Sequence, residues 1–266
     1  GTHNTLLGGL SGDALTTSNR NTALGYGTLS ADTLGSHSTA VGNLALVNQN
    51  FTTATDTYNT AVGSSAGQEV TTGIQNTILG GLAGDAITDA DRNVAVGYSA
   101  LTTNTVGSES VAIGAFALNS QNPATATAMY NVAVGHNSGS AVTTGTKNTL
   151  IGGLAGDALT TGITNVAVGY QALSSDTAGK RSVAIGNAAL FTQNFTTATD
   201  TYNVAVGESA GLSVTTATGA TLIGALAGDA ITTGADNTAV GYQALTTNET
   251  SANNTAVGVS ALKLNT

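Results

Sequence analysis

One motif, N-[TV]-A-[VI]-G with close variants, recurs along the whole chain, and its spacing limits the fold more than any other feature. It begins at Asn4, Asn21, Ser38, Asn59, Asn76, Asn93, Ser110, Asn131, Asn148, Asn165, Ser182, Asn203, Ala220, Asn237 and Asn254. Successive starts lie 17 residues apart except for three steps of 21, which gives a 17/17/21/17 rhythm and a super-period of 72. The stretch NFTTATDTYN occurs at 50–59 and again at 194–203, two super-periods apart, as the tail of the unit with four extra residues. A third copy has drifted to NPATATAMYN at 122–131. The fifteen units leave no segment for another domain, so the chain reads as one repeat domain over 1–266.

Positions within the unit indicate its conformation. The fifth is glycine in every copy: Gly8, Gly25, Gly42, Gly63, Gly80, Gly97, Gly114, Gly135, Gly152, Gly169, Gly186, Gly207, Gly224, Gly241 and Gly258. Such invariance within one chain requires a positive φ or a close backbone approach. Positions 2 to 4 read as a short strand, with Thr or Val at 2 and Val, Ile or Leu at 4. Placing 2 and 4 inside puts position 3 outside, an apolar column that something must cover. Positions 9 and 12 trade volume: Leu at 9 (Leu29, Leu101) goes with a polar residue at 12, and Gly at 9 (Gly67, Gly84) with an aliphatic one (Val70, Ile87). A packed interior of constant cross-section requires that exchange.

Units of 17 residues are too short for a helix pair or a propeller blade. They fit one coil of an all-β parallel β-solenoid of about fifteen coils, stacked at roughly 4.8 Å. The first position then forms a ladder of eleven asparagines, Asn4, Asn21, Asn59, Asn76, Asn93, Asn131, Asn148, Asn165, Asn203, Asn237 and Asn254, expected to bond along the stacking axis.

Composition excludes several classes of function. Charged residues are 8% of the chain, with six Lys plus Arg against fifteen Asp plus Glu and a net charge of −9. Nucleic acid is not an expected partner, since phosphate binding needs clustered cations. No apolar run is long enough to insert into a membrane. No cysteine is present for disulfides or thiolate metal sites. No nucleophile–base set or acid pair recurs, so no enzymatic activity, cofactor or metal is expected.

The candidate contact residues follow the super-period. Tyr26, Tyr98, Tyr170 and Tyr242 hold position 6 of the second of the four coil types, and Tyr58, Tyr130 and Tyr202 end the long coils. These rings, with Phe51 and Phe195 in the long-coil loops, are candidate contacts for a glycan or another surface; a purely structural role as corner or seam covers is the competing reading. Asp13, Asp85, Asp157 and Asp229 are read as turn residues rather than calcium ligands. Paired threonines such as Thr71-Thr72 and Thr143-Thr144 raise ice binding, although adjacent threonines on a strand face opposite ways. Asn50, Asn194, Asn248 and Asn253 fit the N-x-[ST] glycosylation pattern.

The segments SVAIG at 110–114 and 182–186 resemble the repeats of trimeric autotransporter adhesin heads, and NVAVGYQAL (165–173) and NTAVGYQAL (237–245) resemble repeats of phage tail-fibre proteins. The resemblance implies a left-handed β-roll, three of which associate side by side into an extracellular or virion-surface fibre. It also implies adhesion to a host-surface receptor or glycan. The units here are longer than those of the best-known heads, and no neck, stalk or anchor is present. The pattern starts and stops without an obvious cap, and an uncapped solenoid end is an open sheet edge. The expectation is therefore an adhesin-type homotrimer, with an end-to-end structural filament as the alternative and an ice-binding solenoid third.

Overall fold

The structure, a computed structural model, describes residues 1–264. Among them there is no helix. The chain is a parallel β-solenoid of about fifteen turns, each contributing one three-residue strand such as Thr22–Leu24 or Val94–Val96. It divides into two compact units, one from Gly1 to Tyr130 and one from Asn131 onward.

In the first unit, equivalent positions stack in register: Thr22 pairs with Thr39, Thr39 with Thr60, Thr60 with Thr77, and Thr77 with Val94. The second unit repeats this, with Val132 on Thr149, Thr149 on Val166, and Val166 on Val183. The four extra residues of the long coils are absorbed locally. Each long coil adds a two-residue strand that pairs with the coil before it: Thr55–Asp56 with Gly35–Ser36, Thr127–Ala128 with Gly107–Ser108, and Thr199–Asp200 with Gly179–Lys180. The 17-residue register then resumes.

The interior corrects one expectation. Position 3 points inward, and its residues (Ala23, Ala40, Ala61, Ile78 and Ala95, then Ala133, Leu150 and Ala167) are fully buried. Positions 2 and 4 face outward. A three-residue strand with apolar residues on both faces carries no alternation to orient it, and the folded coil decides instead. The interior takes alanine at position 3 in most coils and the larger Ile78, Leu150 and Leu222 in coils whose position 9 is Gly84, Gly156 and Gly228, so the volume at position 3 is traded against position 9. The volume exchange between positions 9 and 12 holds: Leu29, Leu46, Leu101 and Leu118 are buried in one coil class, and Val70, Ile87, Val142 and Leu159 in the other. A Cβ on Gly67 would lie 3.3 Å from Cγ2 of Val70, so the glycine clears the space that the valine fills.

The asparagine ladder bonds mainly to backbone. Asn76 donates Nδ2 to the Ala90 carbonyl at 2.8 Å, closing its own coil, and its Oδ1 accepts from the Asn93 amide of the next coil at 2.9 Å. Asn148 repeats this with the Gly162 carbonyl and the Asn165 amide. One buried side chain thus satisfies groups in two coils. At position 5, Gly97 has φ 131°, and a Cβ there would sit 2.7 Å from the Gly114 carbonyl oxygen, so both reasons for glycine apply at once.

Candidate interaction surfaces

Two surfaces stand out, one apolar and one polar. The apolar surface is the outer face of the three-residue strands. In the first unit it carries Thr or Val at position 2 and Leu24, Val41, Val62, Leu79, Val96 and Ile113 at position 4; in the second unit Ile151, Ile185 and Ile223 occupy the same place. Leu24, Val62, Ile113, Ile151, Ile185 and Ile223 are 37–42% exposed. These side chains stand in register from coil to coil, so each unit presents a continuous apolar stripe. The position-6 tyrosines Tyr26, Tyr98, Tyr170 and Tyr242 follow the strand ends and are also exposed. A glycine in the preceding coil makes room for three of these rings. A Cβ on Gly9 would lie 3.5 Å from the Tyr26 ring, one on Gly81 3.8 Å from Tyr98, and one on Gly153 3.5 Å from Tyr170.

The polar surface is the column formed by the last residue of each coil, just before the motif. His3, Arg20, His37, Tyr58, Gln75, Arg92, Glu109 and Tyr130 occupy it in the first unit, and Lys147, Thr164, Arg181, Tyr202, Gly219, Asp236 and Asn253 in the second. Every one has a φ between 52° and 70°. None is buried. All three arginines of the chain lie here. Sequence reasoning singled out only the tyrosines; the available signal was the concentration of Arg, His, Lys and Glu immediately before the motif asparagine.

Each tyrosine of this column meets a charged or ionisable residue one coil earlier. His37 stacks on Tyr58 with ring centroids 5.0 Å apart, and its Nδ1 lies 3.0 Å from Oδ1 of Asp56. Glu109 accepts from Arg92 through Nε at 3.1 Å and Nη2 at 2.6 Å, and it also bonds the Tyr130 hydroxyl. The hydrogen bonding from Arg92 first, then that from Tyr130, holds the Glu109 carboxyl below its usual range, while the carboxylate raises the Tyr130 phenol. Arg181 donates Nη1 to the Tyr202 hydroxyl at 2.5 Å, places its guanidinium 5.5 Å from the ring centroid, and pairs with Asp200 at 3.5 Å.

Other candidate residues are placed differently. Phe51 and Phe195, expected at the surface, are only 6% and 8% exposed. They are held by their amides to Asp32 and Asp176. Asn248 is buried and so is not a glycosylation acceptor in the folded chain, whereas Asn50, Asn194 and Asn253 are exposed. The threonine columns use their hydroxyl hydrogens within the fold: Thr88 donates to the Thr105 carbonyl at 3.1 Å and Thr160 to the Thr177 carbonyl at 2.9 Å. Of the turn aspartates, Asp85 accepts from the Thr102 hydroxyl, while Oδ1 of Asp157 and of Asp229 is buried without a partner. Burial raises both of those carboxyls above the ordinary range. Among the described residues no cluster of His, Asp and Glu has metal-site geometry, and no helix is long and apolar enough to cross a membrane.

Comparison with protein-family models, with curated proteins and with solved structures gives no match.

Proposed function

We propose that this chain is a structural module of an extracellular fibre that associates side by side with copies of itself and serves in adhesion. The observation that carries this reading is the outer strand face, a continuous stripe of partly exposed Val, Ile and Leu within each unit. An apolar surface repeated in register over successive coils is of the kind that soluble proteins bury against a partner. A second copy offers the matching periodicity, since stripes with the same inter-coil spacing mesh over their whole length. The motif likeness to adhesin heads and tail fibres points the same way, toward a homotrimer on a cell or virion surface.

Sedimentation of the purified chain tests the reading. Discrete particles near three times the 25.9 kDa chain mass support it. Filaments lengthening with concentration favour end-to-end assembly, and a monomer at all concentrations overturns both.

Ice binding is a second reading, with its place moved. Thr5, Thr22, Thr39, Thr60 and Thr77 form five consecutive threonine rungs on the outward face of the strands, whereas the first hydroxyl of each threonine pair, as in Thr71 and Thr143, is engaged within the fold. Thermal hysteresis in a freezing assay would select it, and ordinary freezing would discard it.

A further inference from the structure

The coil-end column places its side chains where the backbone least favours them. A φ near +55° is inexpensive for glycine and tolerable for asparagine; other residues adopt it at a cost of roughly 1 kcal/mol each. Glycine fills some positive-φ sites, such as Gly67 and Gly84, but position 7 carries other residues in the same conformation, such as Leu82, Ser99 and Gln171, so the turns of the coil impose a positive φ whatever the side chain. At the coil end the chain places arginine, histidine, glutamate and tyrosine. Leucines with positive φ at position 9, such as Leu101, are explained by burial in the core. The coil-end residues are not buried, so the coil holds their side chains at the surface in one fixed backbone conformation.

From this we infer that Tyr58, Tyr130 and Tyr202, each with its charged neighbours, form three separate binding sites for neutral saccharides. The inference rests on the adhesion part of the proposed function. Each ring is 53–55% exposed and held in place by the preceding coil. An aromatic face of that kind suits the apolar C–H face of a pyranose. Beside it stand an acceptor and a donor for adjacent sugar hydroxyls, Glu109 and Arg92 at Tyr130 and Asp200 and Arg181 at Tyr202; at Tyr58 Asp56 is the acceptor, while both ring nitrogens of His37 are taken by Asp56 and Arg20. Paired charged groups of this kind make strong, directional hydrogen bonds.

The pairing also decides the ligand's charge. A polyanion would need unpaired cations, yet Arg92 and Arg181 each face a carboxylate, and the chain carries a net charge of −9. A neutral polyol takes bonds from both members of such a pair without facing net repulsion. Each site is individually small, so its affinity is weak, and the two copies within the first unit, at Tyr58 and Tyr130, supply avidity for a polymer.

The test titrates the full chain with neutral hexasaccharides (maltohexaose, cellohexaose, xylohexaose, mannohexaose and chitohexaose), with a heparin hexasaccharide as the anionic control, following saturation-transfer NMR. The key variant carries Tyr58→Asn, Tyr130→Asn and Tyr202→Asn, because asparagine tolerates the positive φ and preserves the fold. A control carries Tyr26→Ser, Tyr98→Ser, Tyr170→Ser and Tyr242→Ser. Binding of at least one neutral hexasaccharide, weakened tenfold or more in the Asn variant and unchanged in the Ser control, is expected. No neutral binding, binding that survives the Asn variant, or binding of heparin alone overturns the inference. Sedimentation of the same samples separates the two ideas: trimers that bind no sugar defeat only this inference, and sugar-binding monomers defeat only the assembly.

Discussion

Gln193 donates its Nε2 to Oδ2 of Asp176 at 2.7 Å, in a site where both residues are fully buried. Gln49 and Asp32 repeat the bond at the same distance two super-periods earlier. The second carboxylate oxygen of Asp176 accepts from the amides of Gly179 and Phe195, so the aspartate ties together the base of the long-coil loop. In the middle repeat Asn104 takes this place and donates to the Gly107 carbonyl at 2.7 Å.

Removing that carboxylate should loosen the loop. Asp176→Ala leaves the Gly179 and Phe195 backbone amides without their acceptor and removes one of the two acceptors of the Gln193 amide, whose other is Ser182 Oγ. Unpaired buried polar groups cost about 1–3 kcal/mol each before relaxation, so a net loss of roughly 2–4 kcal/mol is expected. Chemical denaturation gives the magnitude, and hydrogen exchange should rise first across 191–202. Unchanged exchange there would show that the loop does not depend on Asp176.

Asp157 and Asp229 should make stability depend on pH. Burial raises both carboxyls above 3.8, so the folded chain binds these protons more tightly than the unfolded chain does. Their favourable contribution is complete below the unfolded value and is lost as pH rises through the folded one. The double variant Asp157→Asn, Asp229→Asn should therefore melt higher than the parent at pH 7, with the gap closing toward pH 3. Melting curves across that range check the sign; a gap that widens on acidification would contradict it.

Two glycines should respond differently to alanine. Gly97→Ala puts a Cβ 2.7 Å from the Gly114 carbonyl oxygen at φ 131°, and backbone cannot yield easily. A loss of about 3 kcal/mol or more is expected, consistent with a forbidden conformation plus a clash. Gly67→Ala meets the side-chain ends of Ile78 and Leu46 at φ 58°, a region alanine can enter. Its cost should be nearer ~1–2 kcal/mol. Equal losses in denaturant titrations would refute the contrast.

Charge on the outer strand face should separate assembly from folding. Val96 and Ile113 point outward, so Val96→Glu with Ile113→Glu should change the stability of a single chain by no more than about 1 kcal/mol. The same pair should reduce the sedimenting species to the 25.9 kDa chain. An assembly unaffected by the pair would move the interface elsewhere.

The repeat period, the strand at positions 2 to 4, the obligatory glycine at position 5 and the exchange between Leu101-type and Val70-type residues could all be read from the sequence. They could be read because each is a constraint that one coil places on its neighbour 17 residues away, and such a constraint appears as a column in the repeat. Which face of the strand is interior could not be read that way, because positions 2, 3 and 4 are all apolar or β-branched. It is decided in the folded coil, where position 3, alanine in most coils and Ile78 or Leu150 in others, closes onto the interior and Val96 and Ile113 stay outside. The burial of Phe51, Phe195 and Asn248 and the meeting of Arg181 with Tyr202 also depended on the stacked coils. Those partners are far apart in sequence, and only the closing of each turn onto the one before it sets which side chains share a corner.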